Sequence, residues 1–470
     1  MGSHGRGRGR REEEVTSQEA ELALGLAELL RRDRHNEGAE PAGGGGATAP
    51  PPLANHELRL QLELGRGRGP GGPAPQEENL PRMLTQRQWG RCRHSSFSPG
   101  EQTRLSSHFL PNRVAFADSY PQKAFCGVFD PNGDAFVSAC QDQTLRLYRC
   151  RGGGMKLLRT FAGRDVGWSI LDVVFSPDGS RCFYCSWSDY VHMIDVYGEG
   201  DTHTALDLRP RERRFAIFSL AVAPGGGAVL GGANDGCIYG YDLGAMRRVL
   251  KVSAHEDDVN AVALEGGAGQ LVLSGGDDGV CRGWDRRLLQ ESPDGDKRPR
   301  PVVTLAGHRD GITFLHPRGD GRYLVTNSKD QSAKLWDLRL PAGPTVMAAA
   351  RRAVANQSWD YRWQPAPPTT NPAPLPGDRS LMTFRGHVVL HTLLRARLAP
   401  PPGPAGGQYL SAACATGAVI VYDVLTGRVV RRLANHSACV RDVSWHPRGD
   451  WLASASWDGS IRLWDYGDPA

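Results

Sequence analysis

No apolar run in the sequence approaches the roughly 20 residues that span a bilayer. The opening residues, "MGSHGRGRGRREEE", contain no apolar stretch of the kind a secretory leader needs. Position 6 is Arg6, where N-myristoylation wants Ser or Thr. A soluble chain is expected. Charge of one sign is also scarce. Lys plus Arg number 56 against 51 Asp plus Glu, a net +5 over 470 residues. Such a balance provides no strong field for nucleic acid or a membrane surface, and it argues against direct nucleic-acid binding. Ten cysteines are present, without the dense spacing of a disulfide framework or the paired spacing of a zinc site. The one C-x-x-C, Cys182-Phe183-Tyr184-Cys185, sits in a strand-like run, where that spacing turns the thiols to opposite faces. Buried free thiols in a reducing, intracellular compartment are expected, with no metal and no cofactor.

Residues 1–80 are compositionally apart. Gly- and Pro-rich tracts such as "PAGGGGATAPPP" (41–52) cannot build a packed core. Gly67, Gly69 and Gly72 spell a dinucleotide loop, but no strand precedes them and prolines surround them. One island reads as a helix, about 17–32, with Leu22, Leu26, Leu29 and Leu30 on one face and Ser17 as its cap. A helix so short needs a surface to lie on. No helix is expected in 35–80. Residues 81–106 form a lead-in.

From 107 to 466 short strands alternate with turn signals such as Pro177-Asp178-Gly179. Seven repeats align on Asp142, Asp189, Asp235, Asp278, Asp330, Thr416 and Asp458. The stretches "GHRDGITFLHPRGDGRYLVTNSKDQSAKLWD" (307–337) and "NHSACVRDVSWHPRGDWLASASWDGSIRLWD" (435–465) resemble the WD40 repeat family. That resemblance implies an all-β, seven-bladed propeller.

Residue chemistry supports it. Three repeats carry four polar residues able to form one buried hydrogen-bond chain: His255/Ser274/Asp278/Trp284, His308/Thr326/Asp330/Trp336 and His436/Ser454/Asp458/Trp464. Asp, His and Ser also spell a catalytic triad, but threefold recurrence at structural spacing argues against catalysis. The last repeat ends at Trp464-Asp465 and lacks an outer strand, which a segment around 107–120 is expected to supply. Insertions are expected at 197–215 and 338–384.

Two repeat ends share an arginine: "RGWDRR" places Arg287 two residues after Asp285, and "KLWDLR" places Arg339 two residues after Asp337. A local ion pair accounts for each arginine. A matched pair of planar donors on one propeller face also suits docking of a protein. Tandem W-D-x-R motifs resemble the signature of substrate receptors of the cullin-4 RING ubiquitin ligase. "SFSPGEQTRLSSHFLPN" (96–112), "QKAFCGVF" (122–129) and "AHEDDVNAVA" (254–263) are similar to the cullin-4-associated factors. The resemblance implies a non-catalytic subunit in nucleus and cytoplasm. Its Arg face, with the leucines of helix 17–32, would bind the damage-specific DNA-binding adaptor. Targets such as a stress-response transcription factor would go to the ligase. Residues just before the turn Asp are expected to face the target: Gln141, Asn234, Asp277, Lys329 and Trp457, with Asp257 and Asp258 nearby. The rival readings are a generic interaction scaffold and an RNA-associated propeller using the Arg-Gly tracts.

Overall fold

The computed structural model describes residues 53, 56–65, 109–198, 200–209, 215–289, 299–367, 373–400, 407–448 and 451–467. Helix 17–32, with Leu22, Leu26, Leu29 and Leu30, lies outside the described residues.

Seven four-stranded antiparallel sheets follow one another along the chain. Each innermost strand packs against the innermost strand of the next sheet, and the seventh (Val440–Trp445) packs on the first (Ala124–Phe129). The result is a closed seven-bladed propeller. In blades 1 to 6 the four strands run outward in chain order. Blade 7 takes its outer strand, Arg113–Ser119, from ahead of blade 1. Arg113 pairs Asp465 and Ser119 pairs Ser460, so the first and last strands are stitched side by side and Ser460–Asp465 is not left as an edge.

Burial follows this architecture. A second strand such as Tyr323–Ser328 is buried at every residue, because neighbouring blades cover both its faces. The outer strand Arg113–Ser119 alternates exposed and half-buried, since one face meets water. The nine described cysteines are unpaired and buried.

Three sequence expectations need correction. The 197–215 insertion contains the fourth strand of blade 2, His203–Asp207, paired with Tyr190–Asp195. The 338–384 insertion ends in the short fourth strand of blade 5, Met382–Phe384, and carries a helix, α2 (Pro344–Ala355). That helix buries Val346 and Ala350 against Ala306 of blade 4. Buried Lys334 then binds Asp378 at 2.7 Å, fixing the return of the insertion to its blade.

The third correction concerns 35–80, where a helix does occur: α1 (Glu57–Gly65). Leu58 and Leu62, one helical turn apart, are buried with Leu53 in the core between blades 5 and 6. The sequence 58–64 alternates Leu with polar residues, a strand-like period that hides the i, i+4 face the helix uses. Burying each leucine is worth roughly 2 kcal/mol, ample to hold a helix too short to stand alone.

Candidate docking faces of the propeller

Asp–His–Ser/Thr–Trp chains form in blades 4, 5 and 7. In blade 5, Trp336 Nε1 donates to Thr326 Oγ1 (2.8 Å), His308 Nε2 meets the same oxygen (2.7 Å), and Nδ1 meets Asp330 (3.0 Å). A carboxylate only accepts, so Nδ1 carries the proton and Nε2 accepts from the threonine. Every group is satisfied and no hydroxyl proton is left to abstract. Blades 4 and 7 repeat this with His255–Ser274 at 2.7 Å and His436–Ser454 at 2.8 Å; Asp278 and Asp458 hold Nδ1, and Trp284 and Trp464 donate to the serines. Burial disfavours charge on His255 and His436, while His bonding holds Asp278, Asp330 and Asp458 well below the usual carboxylate range.

The third strands of blades 4 and 5 end on the same face of the disc, opposite the turns that carry these aspartates. At the blade 4 end, Asp285 accepts from the Arg287 backbone N–H (3.0 Å), Nε (3.0 Å) and Nη2 (2.6 Å). At the blade 5 end, Asp337 holds Arg339 through its backbone N–H (2.9 Å), Nε (3.1 Å) and Nη2 (2.9 Å). Both guanidiniums are clasped edge-on by their own aspartates, and both side chains stay exposed, 69% for Arg287 and 58% for Arg339. The local ion pair is therefore real, and it freezes the fork without covering it. Asp207 clasps Arg209 in the same way (2.7 and 3.1 Å), but at the end of a fourth strand, hence on the other face. Asp465, ending the third strand of blade 7 on the face of Arg287 and Arg339, also clasps an exposed arginine, Arg113 of the closing strand (2.8 and 3.3 Å); what distinguishes Arg287 and Arg339 is the D-x-R clasp on adjacent blades of that one face.

Among the described residues, Arg339 has company that Arg287 lacks. Asp337 also meets His56 Nε2 at 3.1 Å and Arg322 Nε at 3.2 Å. Glu57, opening α1, lies 2.8 Å from Arg322 and 3.7 Å from Arg339. The N-terminal segment is thus pinned beside the blade 5 arginine. No sequence signal linked the two, because 281 residues separate His56 from Asp337.

On the opposite face the named residues are less available than expected. Lys329 binds Asp277 at 2.6 Å and lies 4.3 Å from the Tyr361 ring, which the 338–384 insertion brings over it. Lys329 is buried, so it presents no free ammonium. Asn260 occupies the same Asp277 oxygen at 2.5 Å. Asn234 accepts the Ala216 N–H at 3.0 Å. Gln141 is half-buried, its backbone N–H bonded to Lys123. Asp257 is exposed; half-buried Asp258 is pushed up to about 6 by burial and by Asp277 and Asp257. Trp457 is wedged among Phe125 (5.6 Å), His391 (6.3 Å) and Lys123 (4.5 Å), so it packs as much as it presents.

Two indoles the sequence reading passed over are more open. Trp168 is 51% exposed and Trp187 45%. Aligning blade 2 on Asp189 was one residue out. Strand pairing sets Tyr184 opposite His192, as Ser274 lies opposite Arg282, and Ser188 takes the turn position, accepting the Tyr190 N–H. In that register Trp187 stands just before the turn, where the rule would have selected it. Trp168 rides a loop with Asp165 in the left-handed region (φ 50°). Tyr184 accepts the Arg164 N–H (2.9 Å) and Ser186 donates to the Asp165 carbonyl (3.1 Å), which hold it there. A side chain on Gly167 would strike the Trp187 backbone. Both indoles also touch a neighbouring ring, Trp168 edge-on to Phe125 (5.2 Å) and Trp187 against Phe218 (5.4 Å), and keep about half their surface in water.

Comparison with known proteins decides the family. The chain is 37% identical to the DDB1- and CUL4-associated factor 11 homolog of Caenorhabditis elegans over 84% of its own length and 70% of the relative's. The namesake from Caenorhabditis briggsae is 36% identical over 78% and 67%. The chain belongs to the DDB1- and CUL4-associated factor 11 family. A LEC14B homolog of Prunus armeniaca is 34% identical over 82% of this chain and 81% of its own. The WD domain, G-beta repeat model matches residues 246–285, 299–337 and 427–465. Those three matches fall on the blades whose four-residue chains are complete, and two of them end on Asp285 and Asp337. In this DDB1- and CUL4-associated factor 11 family member the repeat model thus stops just short of Arg287 and Arg339.

Proposed function

We propose that the chain is the target-recognition subunit of a cullin-4 RING ubiquitin ligase. Arg287 and Arg339, with α1 beside Arg339, dock on the DDB1 adaptor. The opposite face, with Trp168 and Trp187 on it, receives target proteins. Ubiquitin transfer is performed by the RING–E2 machinery; this chain supplies proximity, and no catalytic residue is assigned to it. Operation in nucleus and cytoplasm belongs to the same reading.

The observation that carries it is the matched clasp on adjacent blades. Asp285 and Asp337 fix two exposed guanidiniums in advance, so little side-chain entropy is lost when a partner arrives. The partner follows from the names of the relatives, DDB1- and CUL4-associated factors. The test is reconstitution: the purified chain mixed with DDB1, cullin-4 and RING subunit should co-elute as one complex. Failure to co-elute at micromolar concentration would leave a scaffold without a ligase.

A further inference from the structure

Arg287 and Arg339 stand in a longer row. The third strands of blades 2, 3, 4 and 5 end on Asp195, Asp242, Asp285 and Asp337, all on one face of the disc. Each aspartate shapes the loop after it by accepting the backbone N–H two residues on: Tyr197 (3.1 Å), Gly244 (2.8 Å), Arg287 (3.0 Å) and Arg339 (2.9 Å). Asp195 and Asp242 accept a second N–H, from Gly198 (3.0 Å) and Ala245 (2.9 Å). Tyr197 thus holds in blade 2 the place that Arg287 holds in blade 4.

Each of these four loops keeps a large apolar side chain in water. Tyr197 is 63% exposed, Met246 50%, Leu288 71% and Leu340 37%. Leu288 and Leu340 directly follow the two clasped arginines. One exposed apolar residue on a surface is ordinary; one from each of four consecutive blades, on the face of the arginines, is not scatter. The next two blades cover theirs. Asp423 makes the same turn in blade 6, accepting the Leu425 N–H (2.8 Å), but Leu425 packs against the cluster that holds α1. In blade 7, Tyr466 lies edge-on to Phe109 (5.0 Å). Among the described residues, then, the chain covers this face at blades 6 and 7 and leaves the apolar side chains of blades 2 to 5 in water.

Two arginines alone make too small a contact. A stable interface buries roughly 800 Å² on each partner, and its centre is rich in aromatic, Met and Arg side chains. Loops already fixed by their own aspartates lose little freedom on docking. We propose that the adaptor's footprint continues from Arg339 and Arg287 over Leu340, Leu288 and Met246 to Tyr197, which anchors its far edge. This rests on the reading of the chain as a DDB1-docking receptor. Continuity selects that occupant: a partner seated on Arg287 and Arg339 is one residue from Leu288 and Leu340 and covers them too.

The test is titration calorimetry of the full chain against purified DDB1, at about 0.1 M and about 0.5 M salt. Tyr197→Ala weakens binding by about tenfold, and Leu288→Ser with Leu340→Ser by about tenfold or more. These side chains stand in water, so the melting temperature stays within about 1 °C. The loss from Tyr197→Ala is equal at both salt concentrations, because an apolar contact is not screened, whereas that from Arg287→Ala shrinks at the higher one. Wild-type affinity in Tyr197→Ala and in the double serine variant, with Arg287→Ala and Arg339→Ala still weakened, overturns the proposal and leaves the ligase reading standing. No DDB1 binding by the wild-type chain overturns both. Sedimentation of the chain alone reads the other occupant: a dimer that Tyr197→Ala dissolves, with DDB1 affinity unchanged, assigns the row to a second copy and overturns the proposal.

Discussion

The imidazole of His56 lies 3.1 Å from the carboxylate of Asp337. Through that contact an N-terminal segment is fastened to the strand end that aims Arg339. The docking face is therefore composite: one arginine is set by its own blade, the other by its blade and α1 together.

α1 should then matter for stability and docking alike. Leu62 is fully buried between blades 5 and 6. Leu62→Ala should lower unfolding free energy by about 2–4 kcal/mol, as large-to-small core changes do. The milder Glu57→Gln should leave the melting temperature within about 1 °C and weaken adaptor binding a few-fold, because exposed ion pairs contribute little to folding. Chemical denaturation and calorimetric titration against the adaptor check the two halves.

A buried ionic bridge between blades gives a sharper stability expectation. Arg395 is buried and bridges Asp172 and Asp442. Arg395→Met strands two buried carboxylates and should cost about 3–5 kcal/mol. Arg395→Lys should recover little of it, since one ammonium cannot reach both carboxylates in a bidentate fork. Urea unfolding of both variants measures this; a loss below about 1 kcal/mol for the methionine variant would mean the bridge does not hold the ring.

Acid should destabilise the fold in two stages. Burial lowers seven imidazoles, His192, His255, His316, His387, His391, His436 and His446, with His387 near 4 and His316 near 3. A group whose folded value is depressed binds protons more readily when unfolded, so stability is lost as pH falls below the ordinary histidine value of about 6.5. Asp278, Asp330 and Asp458 add the second stage below about 4, their folded values being depressed as well. Asp258 and Asp310 are raised and act in the opposite sense, but they are fewer. The melting temperature should hold from pH 8 to 7 and fall steadily below 6.5. A flat profile to pH 5 would contradict this balance.

Much of the propeller was legible because a blade is a local object. Its hydrogen-bond chain, its turn and its strand end all sit within one repeat, so His308, Thr326, Asp330 and Trp336 announce each other. The closing strand was inferable from what blade 7 lacked. Whatever depends on distant segments was not legible. The contact of His56 with Asp337, the Tyr361 ring over Lys329 and the bridge from Arg395 to Asp172 join residues that no spacing rule connects. Blade 2 failed for a local reason: with Tyr184 in the serine slot and Ser188 in the aspartate slot, the repeat slipped by one residue and Trp187 was missed.

The two open indoles test the target face. Trp168→Ala with Trp187→Ala should abolish ubiquitination of captured targets while leaving adaptor binding at the wild-type level. Both rings are about half exposed, so their loss should cost less than about 1 kcal/mol of stability. Undiminished target ubiquitination would move recognition elsewhere on that face.

The central claim is that two clasped arginines on one face dock the adaptor. The direct measurement is the affinity of the full chain for purified DDB1 with Arg287→Ala and Arg339→Ala, singly and together. Each single change should weaken binding by about tenfold or more, as buried arginine anchors do, and the double change by at least about a hundredfold, with the melting temperature held. Wild-type affinity in the double variant would contradict the account.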